Sequence, residues 1–412
     1  MHFWLACVSC GKTAPFALGL MTCGCGGTLL VEYDLERAAR TMTKEAMPRR
    51  AASMWRYREL LPVRNPKRAV TLGEGWTPLV RMRGLERRLP SGRLWIKREE
   101  QNPTGSFKAR GFSVALTVAG EFGVRKTAVN SNGNAGSALA AYAAVAGMEA
   151  HVFLPADCPG PIVRECAGYG AFTVLVDGLI HDAGSIVREG AREQGWHDVG
   201  TLREPGRAEG KKTMGLEIAE QLGWKLPDII VYPTGGGSGV IGMWRAFRQL
   251  IGMGLVSGDL PRFVSVQEEG CSPLVDALAQ GKAFAGRQAN VTSSPTGLRV
   301  PRPPDGQLLA AILRETGGTA VAVTREEIAE AARELGLHGI SASPEGAAAW
   351  AGLLRVADQG FVRRGEDIVL FNTSHALKYL PWRWTDVPVV RNYREWKLLC
   401  AENGKAESGT AK

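Results

Sequence analysis

The chain has 412 residues, of which 45% are apolar and 22% charged, with a formal net charge of +9. That length and apolar content build a large core spread over two or three domains, while hydrophobic runs such as Ala138 to Ala146 are short and glycine-bounded, which excludes a membrane span. The N-terminal Met1 to Ala6 lacks the basic start of a secretory signal, and Lys and Arg are interleaved with Asp and Glu along the chain, so a cytoplasmic protein without a nucleic-acid or membrane partner is expected.

In chain order, the first chemistry lies in Cys7-Val-Ser-Cys10 and, after twelve intervening residues, Cys23-Gly24-Cys25. Two thiolate pairs on glycine-softened turns meet the requirement of a tetrahedral structural zinc site; a small hairpin with free thiols is the other reading. The remaining cysteines, Cys158, Cys166, Cys271 and Cys400, are dispersed as reduced residues would be. Asp34 to Pro66 is charged and helix-prone, a connector with Trp55 and Tyr57 as packing anchors. A glycine-rich turn, Leu72-Gly73-Glu74-Gly75-Trp76-Thr77-Pro78-Leu79, then precedes a strand over Leu94 to Lys97.

Asn102-Pro103-Thr104-Gly105-Ser106-Phe107-Lys108-Ala109-Arg110-Gly111 predicts a tight loop that delivers Lys108 onto the first turn of a helix, with Ser106 as N-cap and Phe112, Val114, Ala115 and Val118 on the helical period. A cation is disfavoured at the positive end of a helix dipole, so the nucleophilic neutral amine is easier to reach. Beyond it, short β-branched runs alternate with alanine-rich helical stretches, the signature of βα units on a parallel sheet. Lys126 to Val129 is a strand running into Asn130-Ser131-Asn132-Gly133-Asn134-Ala135-Gly136, a loop that opens a helix and presents backbone N–H groups to an anion. Further strands are expected at His151 to Pro155 and Phe172 to Val176, with helices over Ile162 to Tyr169 and from Asp182.

A helix follows over Glu209 to Gly223, where Arg207, Lys211 and Lys212 face either an anionic substrate or solvent. The strand Asp228 to Pro233 enters Thr234-Gly235-Gly236-Gly237-Ser238-Gly239, whose missing Cβ atoms let the backbone close around a phosphate at a helix start. It is neither a Walker loop nor a dinucleotide Gly-x-Gly-x-x-Gly. Strands at Phe263 to Gln267 and Thr319 to Val323 flank a loop-rich region around Ser294 to Asp305, and Glu345 opens an alanine-rich helix. Asp367 to Phe371 is a buried strand leading to Asn372-Thr373-Ser374-His375-Ala376-Leu377-Lys378, and the polar tail after Leu399 is expected to be disordered.

The Ser106-Phe107-Lys108 loop, the tetraglycine loop, the Ser-Asn-Gly-Asn loop and the Thr-Ser-His-Ala-Leu-Lys segment, in that family's order and spacing, resemble the threonine synthase-like, fold type II (tryptophan synthase β-like) pyridoxal-phosphate enzymes over about residues 70 to 380. The resemblance implies an α/β protein of two open, mostly parallel twisted sheets flanked by helices, with the N-terminal cysteines as a zinc-ribbon-like segment. It implies domains of 1–33 (ribbon), 34–107 with 201–398 (large, cofactor-binding) and 108–200 (small), with 399–412 a tail, and a homodimer. Lys108 would carry the cofactor, pyridoxal 5'-phosphate, on its amine, Gly235, Gly236, Gly237, Ser238 and Gly239 would hold its phosphate, Asn134 its phenolic oxygen and Thr373 its ring nitrogen. Ser131, Asn132 and Gly133 would bind an amino-acid substrate, and Cys7, Cys10, Cys23 and Cys25 a structural zinc; Arg207 and Lys211 join the substrate site on their charge alone, as one of the two readings given above.

Ala109 stands where many threonine synthases carry Asp, Ser374 and Ala376 replace two glycines of the family pattern, and Asn132 stands where many relatives have Ser or Ala. A hydroxyl at the ring nitrogen gives a moderate electron sink suited to proton removal with elimination and addition. The expected reaction is that of threonine synthase, O-phospho-L-homoserine and water to L-threonine and phosphate. A serine/threonine dehydratase or a specialised β- or γ-replacement synthase is the alternative enzyme. A zinc-ribbon nucleic-acid-binding protein explains only the first thirty residues, and a cofactor-binding relative without turnover is disfavoured by the intact Lys108.

Overall fold

Aliphatic runs, the longer ones five to seven residues, set the strands of a computed structural model that describes residues 2–90, 92–201, 204–281, 291–292, 296–380, 390, 393–395 and 398. Among the described residues every sheet lies within the unit Met1–Leu380; Pro381–Lys412 is a second unit, of which residues 393–395 are helical. The tail after Leu399 lies outside the described residues.

The larger sheet has six strands in the order Thr319–Val323, Arg262–Glu268, Ile229–Pro233, Glu366–Asn372, Gly92–Arg98 and Leu79–Arg81. The first five run parallel and only the edge strand Leu79–Arg81 is antiparallel. Its central strand, Ile229–Pro233, is buried at every position, as expected of a parallel strand covered by helices on both faces. The second sheet is wholly parallel, in the order Phe172–Val176, Glu149–Pro155, Lys126–Asn130 and His197–Asp198. The expected α/β class with two open, mostly parallel sheets therefore stands, and the predicted strands differ from the observed ones by two residues at most at either end.

Helix Lys108–Glu121 has almost no free face: Ala109, Phe112 and Leu116 join the core of the four-stranded sheet, while Val114 and Val118 join an apolar cluster shared with the N-terminal segment. Ala109, fully buried there, occupies a position where an aspartate would need a charged partner. The N-terminal residues form a small antiparallel sheet, with Phe3–Cys7 between Thr13–Ala14 and Leu29–Tyr33. The expected helical connector is instead a single turn of α-helix, Leu35–Ala39, followed by 3-10 turns at Met47–Arg49, Met54–Leu60 and Pro66–Arg68. Tyr57 is fully buried, and the Trp55 indole donates to Glu74 Oε1 at 2.9 Å, so both expected anchors pack.

Candidate active site

The loop ahead of Lys108 is held in an uncommon backbone shape. Thr104 has φ 62°, a left-handed conformation that costs a β-branched residue about 1–3 kcal/mol and persists only where its surroundings impose it. Here the segment after strand Glu366–Asn372 imposes it: Lys378 Nζ donates to Thr104 O at 2.8 Å and pairs with Glu165, and the His375 N–H and Ser374 hydroxyl both donate to Gly105 O. The Phe107 N–H donates to Thr373 O at 3.0 Å. Ser106 does not cap the helix; Phe107 occupies the cap position, and Ser106 Oγ is buried without a partner because Ser106 is drawn into a bridge with Ser374.

One turn on, Arg110 anchors the helix. Its fully buried guanidinium makes two hydrogen bonds to Glu99, both 2.7 Å, and two to Glu217, at 2.6 and 2.7 Å. Lys97 reaches the same Glu217 at 2.8 Å. Paired, bidentate geometry of this kind offsets much of the cost of burying four charges and fixes the start of the helix against its neighbours.

Lys108 lines a cavity of about 300 Å³ between the two parallel sheets. Among the described residues its ammonium nitrogen has no hydrogen bond or ion pair, and it sits 4.3 Å from the centre of the Phe107 ring. Burial first, then the Arg207 charge, lowers its pKa to about 7, with Glu345 acting in the opposite sense. The sequence attributes a free amine to the helix dipole; burial is the larger cause in the structure.

Two glycine loops close the cavity from opposite sides. Ser131 Oγ accepts from the N–H groups of Gly133 and Gly136 at 2.9 and 3.1 Å, which folds Ser131, Asn132, Gly133 and Asn134 into a turn at the start of helix Asn134–Ala146. Asn132 Nδ2 is committed to Arg299 O at 2.9 Å, so this side chain braces the loop. Opposite, Gly235, Gly236, Gly237, Ser238 and Gly239 all line the cavity. Gly237 has φ 76°, and a Cβ there would lie 2.2 Å from Leu309 Cδ1; at Gly235 it would lie 2.4 Å from Gly297 O. Only glycine permits that backbone path.

Thr373 and Asn134 complete the wall. The Asn134 amide nitrogen donates to Ser374 Oγ at 3.1 Å and to Tyr379 at 2.7 Å, leaving its buried oxygen unpaired. The structure thus brings Lys108, Ser131, Asn132, Gly133, Asn134, the tetraglycine loop and Thr373 to one cavity, and adds Glu345 and Tyr379, which the sequence did not single out as site residues. Glu345 accepts from Gly297 N with one oxygen while the other is buried and unpaired. A glutamate in a first helical turn reads as ordinary macrodipole chemistry, which hid it. Arg207, Lys211 and Lys212 are all fully buried, which removes the solvent-facing alternative, and none of the three lines the cavity.

At the other end of the unit, the sulfurs of Cys7, Cys10, Cys23 and Cys25 lie within 4.8 Å of one another, with three pairs at 3.4 to 3.7 Å. Four thiolates around a tetrahedral zinc are about 3.8 Å apart, so the donor set and its spacing fit that ion despite the short Cys23–Cys25 bite.

Residues 70–374 match the family described as pyridoxal-phosphate dependent enzyme. The solved structure of maize serine racemase has the same fold, with a TM-score of 0.62 at 19% identity over 79% of this chain and 93% of the racemase. The chain belongs to the pyridoxal-phosphate dependent enzymes. The threonine synthase of Methanocaldococcus jannaschii is 35% identical over 377 residues, 90% of this chain and 92% of that protein, and the threonine synthase of Methanosarcina acetivorans is 36% identical over 382 residues, 91% and 92% respectively. Within its family the chain is a threonine synthase-like, pyridoxal-phosphate-dependent lyase.

Proposed function

We propose that this lyase converts O-phospho-L-homoserine and water into L-threonine and phosphate. The observation that carries the reading is a lysine with a pKa of about 7, free of any partner among the described residues, in a cavity closed by two glycine loops at helix starts. Such a cavity fits a planar aldehyde that carries a phosphate at one end.

On this reading Lys108 Nζ holds the cofactor aldehyde carbon, Gly235 to Gly239 hold its phosphate with the N-terminal N–H groups of helix Ser238–Gly252, and Thr373 meets its ring nitrogen. Asn134 serves the phenolic oxygen. Turning its amide by half a rotation lets the Tyr379 hydroxyl donate to the relocated oxygen, gives up the bond to Ser374, whose proton goes to Gly105 O, and puts Nδ2 where the unpaired oxygen now lies. Bound there, the cofactor supplies an electron sink for carbanions next to the substrate nitrogen. The turn formed by Ser131, Asn132 and Gly133 takes the substrate carboxylate through the Asn132 N–H, the N–H groups of Ser131 and Gly133 being used to hold the loop by donating to Phe153 O and Ser131 Oγ. With the cofactor and substrate in place, the Lys108 amine would be the group that takes a proton from Cα and moves protons at Cβ.

The cysteine quartet holds a structural zinc that fastens the first strand pair, and the protein acts as a cytoplasmic homodimer; none of the described cysteines is joined in a disulfide, in keeping with a reducing compartment. Among the described residues no helix is long and apolar enough to cross a membrane. Supplying the holoenzyme with O-phospho-L-homoserine should release phosphate and form threonine in equal amounts. Formation of 2-oxobutyrate from threonine, without phosphate release from the phosphorylated substrate, would make it a dehydratase instead.

A further inference from the structure

We infer that Lys211 serves the phosphate of the cofactor and not the amino-acid substrate, delivering its positive charge to the Gly235–Gly239 loop through the hydroxyl of Ser238. The inference rests on the reading of the cavity as a pyridoxal-phosphate site.

Lys211 is fully buried in helix Gly206–Gln221, and its ammonium nitrogen donates to Ser238 Oγ at 2.7 Å. The two other fully buried lysines of this region each have a carboxylate: Lys212 pairs with Glu209, and Lys97 with Glu217 at 2.8 Å. Lys211 has none within ion-pair distance among the described residues. A buried ammonium without an anion is strongly unfavourable, so a fold that keeps one has an anion to meet there.

The surrounding charges point the same way. Lys108 at the start of helix Lys108–Glu121 and Arg207 in the first turn of Lys211's own helix are cations, and Nε and NH2 of Arg207 are buried and unpaired. Glu204 is the one acid acting on Lys211, and burial pushes it up to about 7, so it supplies only part of a charge. Tyr232 from strand Ile229–Pro233 adds a buried, unpaired hydroxyl and no charge. Burial first, then Arg207 and Lys108, hold Lys211 well below the ordinary lysine range until an anion arrives. Asp198 acts on Arg207 and Glu345 on Lys108, but Lys211 itself has only the weakly ionised Glu204, so positive charge is in excess around its nitrogen.

Ser238 makes the connection directional. It is the first residue of the helix that follows the tetraglycine turn, it lines the cavity, and its oxygen accepts from Lys211. Its own hydroxyl proton is thereby left to donate into the cavity. Substrate-binding residues of the Ser131–Asn134 loop line the cavity themselves, whereas Lys211 does not.

The test titrates apoprotein with pyridoxal 5'-phosphate and, in parallel, with pyridoxal, which has the same aldehyde and ring without the phosphate. Chromophore formation reports both affinities for wild type, Lys211→Met and Ser238→Ala. Loss of a charge-assisted hydrogen bond predicts that Lys211→Met weakens the phosphorylated ligand roughly tenfold to a hundredfold while its pyridoxal affinity is unchanged. Ser238→Ala should lose the same preference; Lys211→Arg, which keeps the charge, should retain it, and Lys211→Gln decides the matter if the methionine variant does not fold. Equal losses for both ligands would assign Lys211 a structural role and overturn the inference, as would no loss for either. Wild type that forms no chromophore with either ligand would instead overturn the reading of the cavity.

Discussion

The pKa of Lys108 sets the pH at which apoprotein captures its cofactor. An amine with the ordinary lysine value is neutral in roughly one molecule in three thousand at pH 7. With the pKa at about 7, half of the Lys108 side chains are neutral at that pH, a gain of more than roughly a thousandfold in attacking amine. Mixing apoprotein with pyridoxal 5'-phosphate at a series of pH values and following the yellow chromophore should give a capture rate that rises through pH 7 and levels off within about two units above it. Two variants test the cause. Arg207→Met removes a cation that lowers the pKa and should move the midpoint to higher pH; Glu345→Gln removes an anion that raises it and should move the midpoint to lower pH. The same pKa makes apoprotein stability pH-dependent. Because the folded value lies below the unfolded one, the folded state binds fewer protons between about pH 7 and 10.4, and stability from this group rises with pH across that window. A capture midpoint near pH 10, or variants that shift it in the same direction, would refute burial and these two charges as the origin of the free amine.

Gly237→Ala forces a Cβ to 2.2 Å from Leu309 Cδ1 on a backbone at φ 76°, and should cost about 2–4 kcal/mol, read as a lower melting temperature with weakened cofactor binding. Glu217→Gln leaves Lys97 without its buried carboxylate and Arg110 with Glu99 alone, for a loss of about 3–5 kcal/mol in urea unfolding. In the wild type, burial raises the Glu217 pKa but Arg110 and Lys97 outweigh it and hold it at about 2. Stability from that group is present above about pH 4.3, is lost as the pH falls toward 2, and should show no such slope in the variant. Elemental analysis should find one zinc per chain in the wild type and none in Cys10→Ser, whose melting temperature should match that of chelator-treated wild type.

Much of this arrangement is written locally. The alternation of strands such as Thr319–Val323 with amphipathic helices gives the parallel sheets directly, because each run has the length and β-branched content of a buried strand. The tetraglycine and Ser-Asn-Gly-Asn loops can be picked out by their glycines and their place between strand and helix, although Arg299, Ser374, Tyr379 and Leu309, far along the chain, fix their shape. What escapes a one-dimensional reading depends on contacts far apart in sequence. Lys211 and Arg207 look like solvated charges until helix Gly206–Gln221 is seen to be buried along nearly its whole length. Glu345 becomes a cavity residue only because its helix starts beside Gly297 and Lys108. Ser106 has the residue type of an N-cap, but its pairing with Ser374, far along the chain, takes it elsewhere. The strained Thr104 likewise depends on Lys378 and Glu165.

Reduction of the holoenzyme with borohydride followed by peptide mapping addresses the covalent linkage itself. The expected result is loss of the yellow colour and a single pyridoxyl-modified peptide with the label on Lys108. A label on Lys211 or another lysine, or a protein that takes up no label at all, would contradict the assignment on which the cavity, the proton transfers and the proposed reaction all depend.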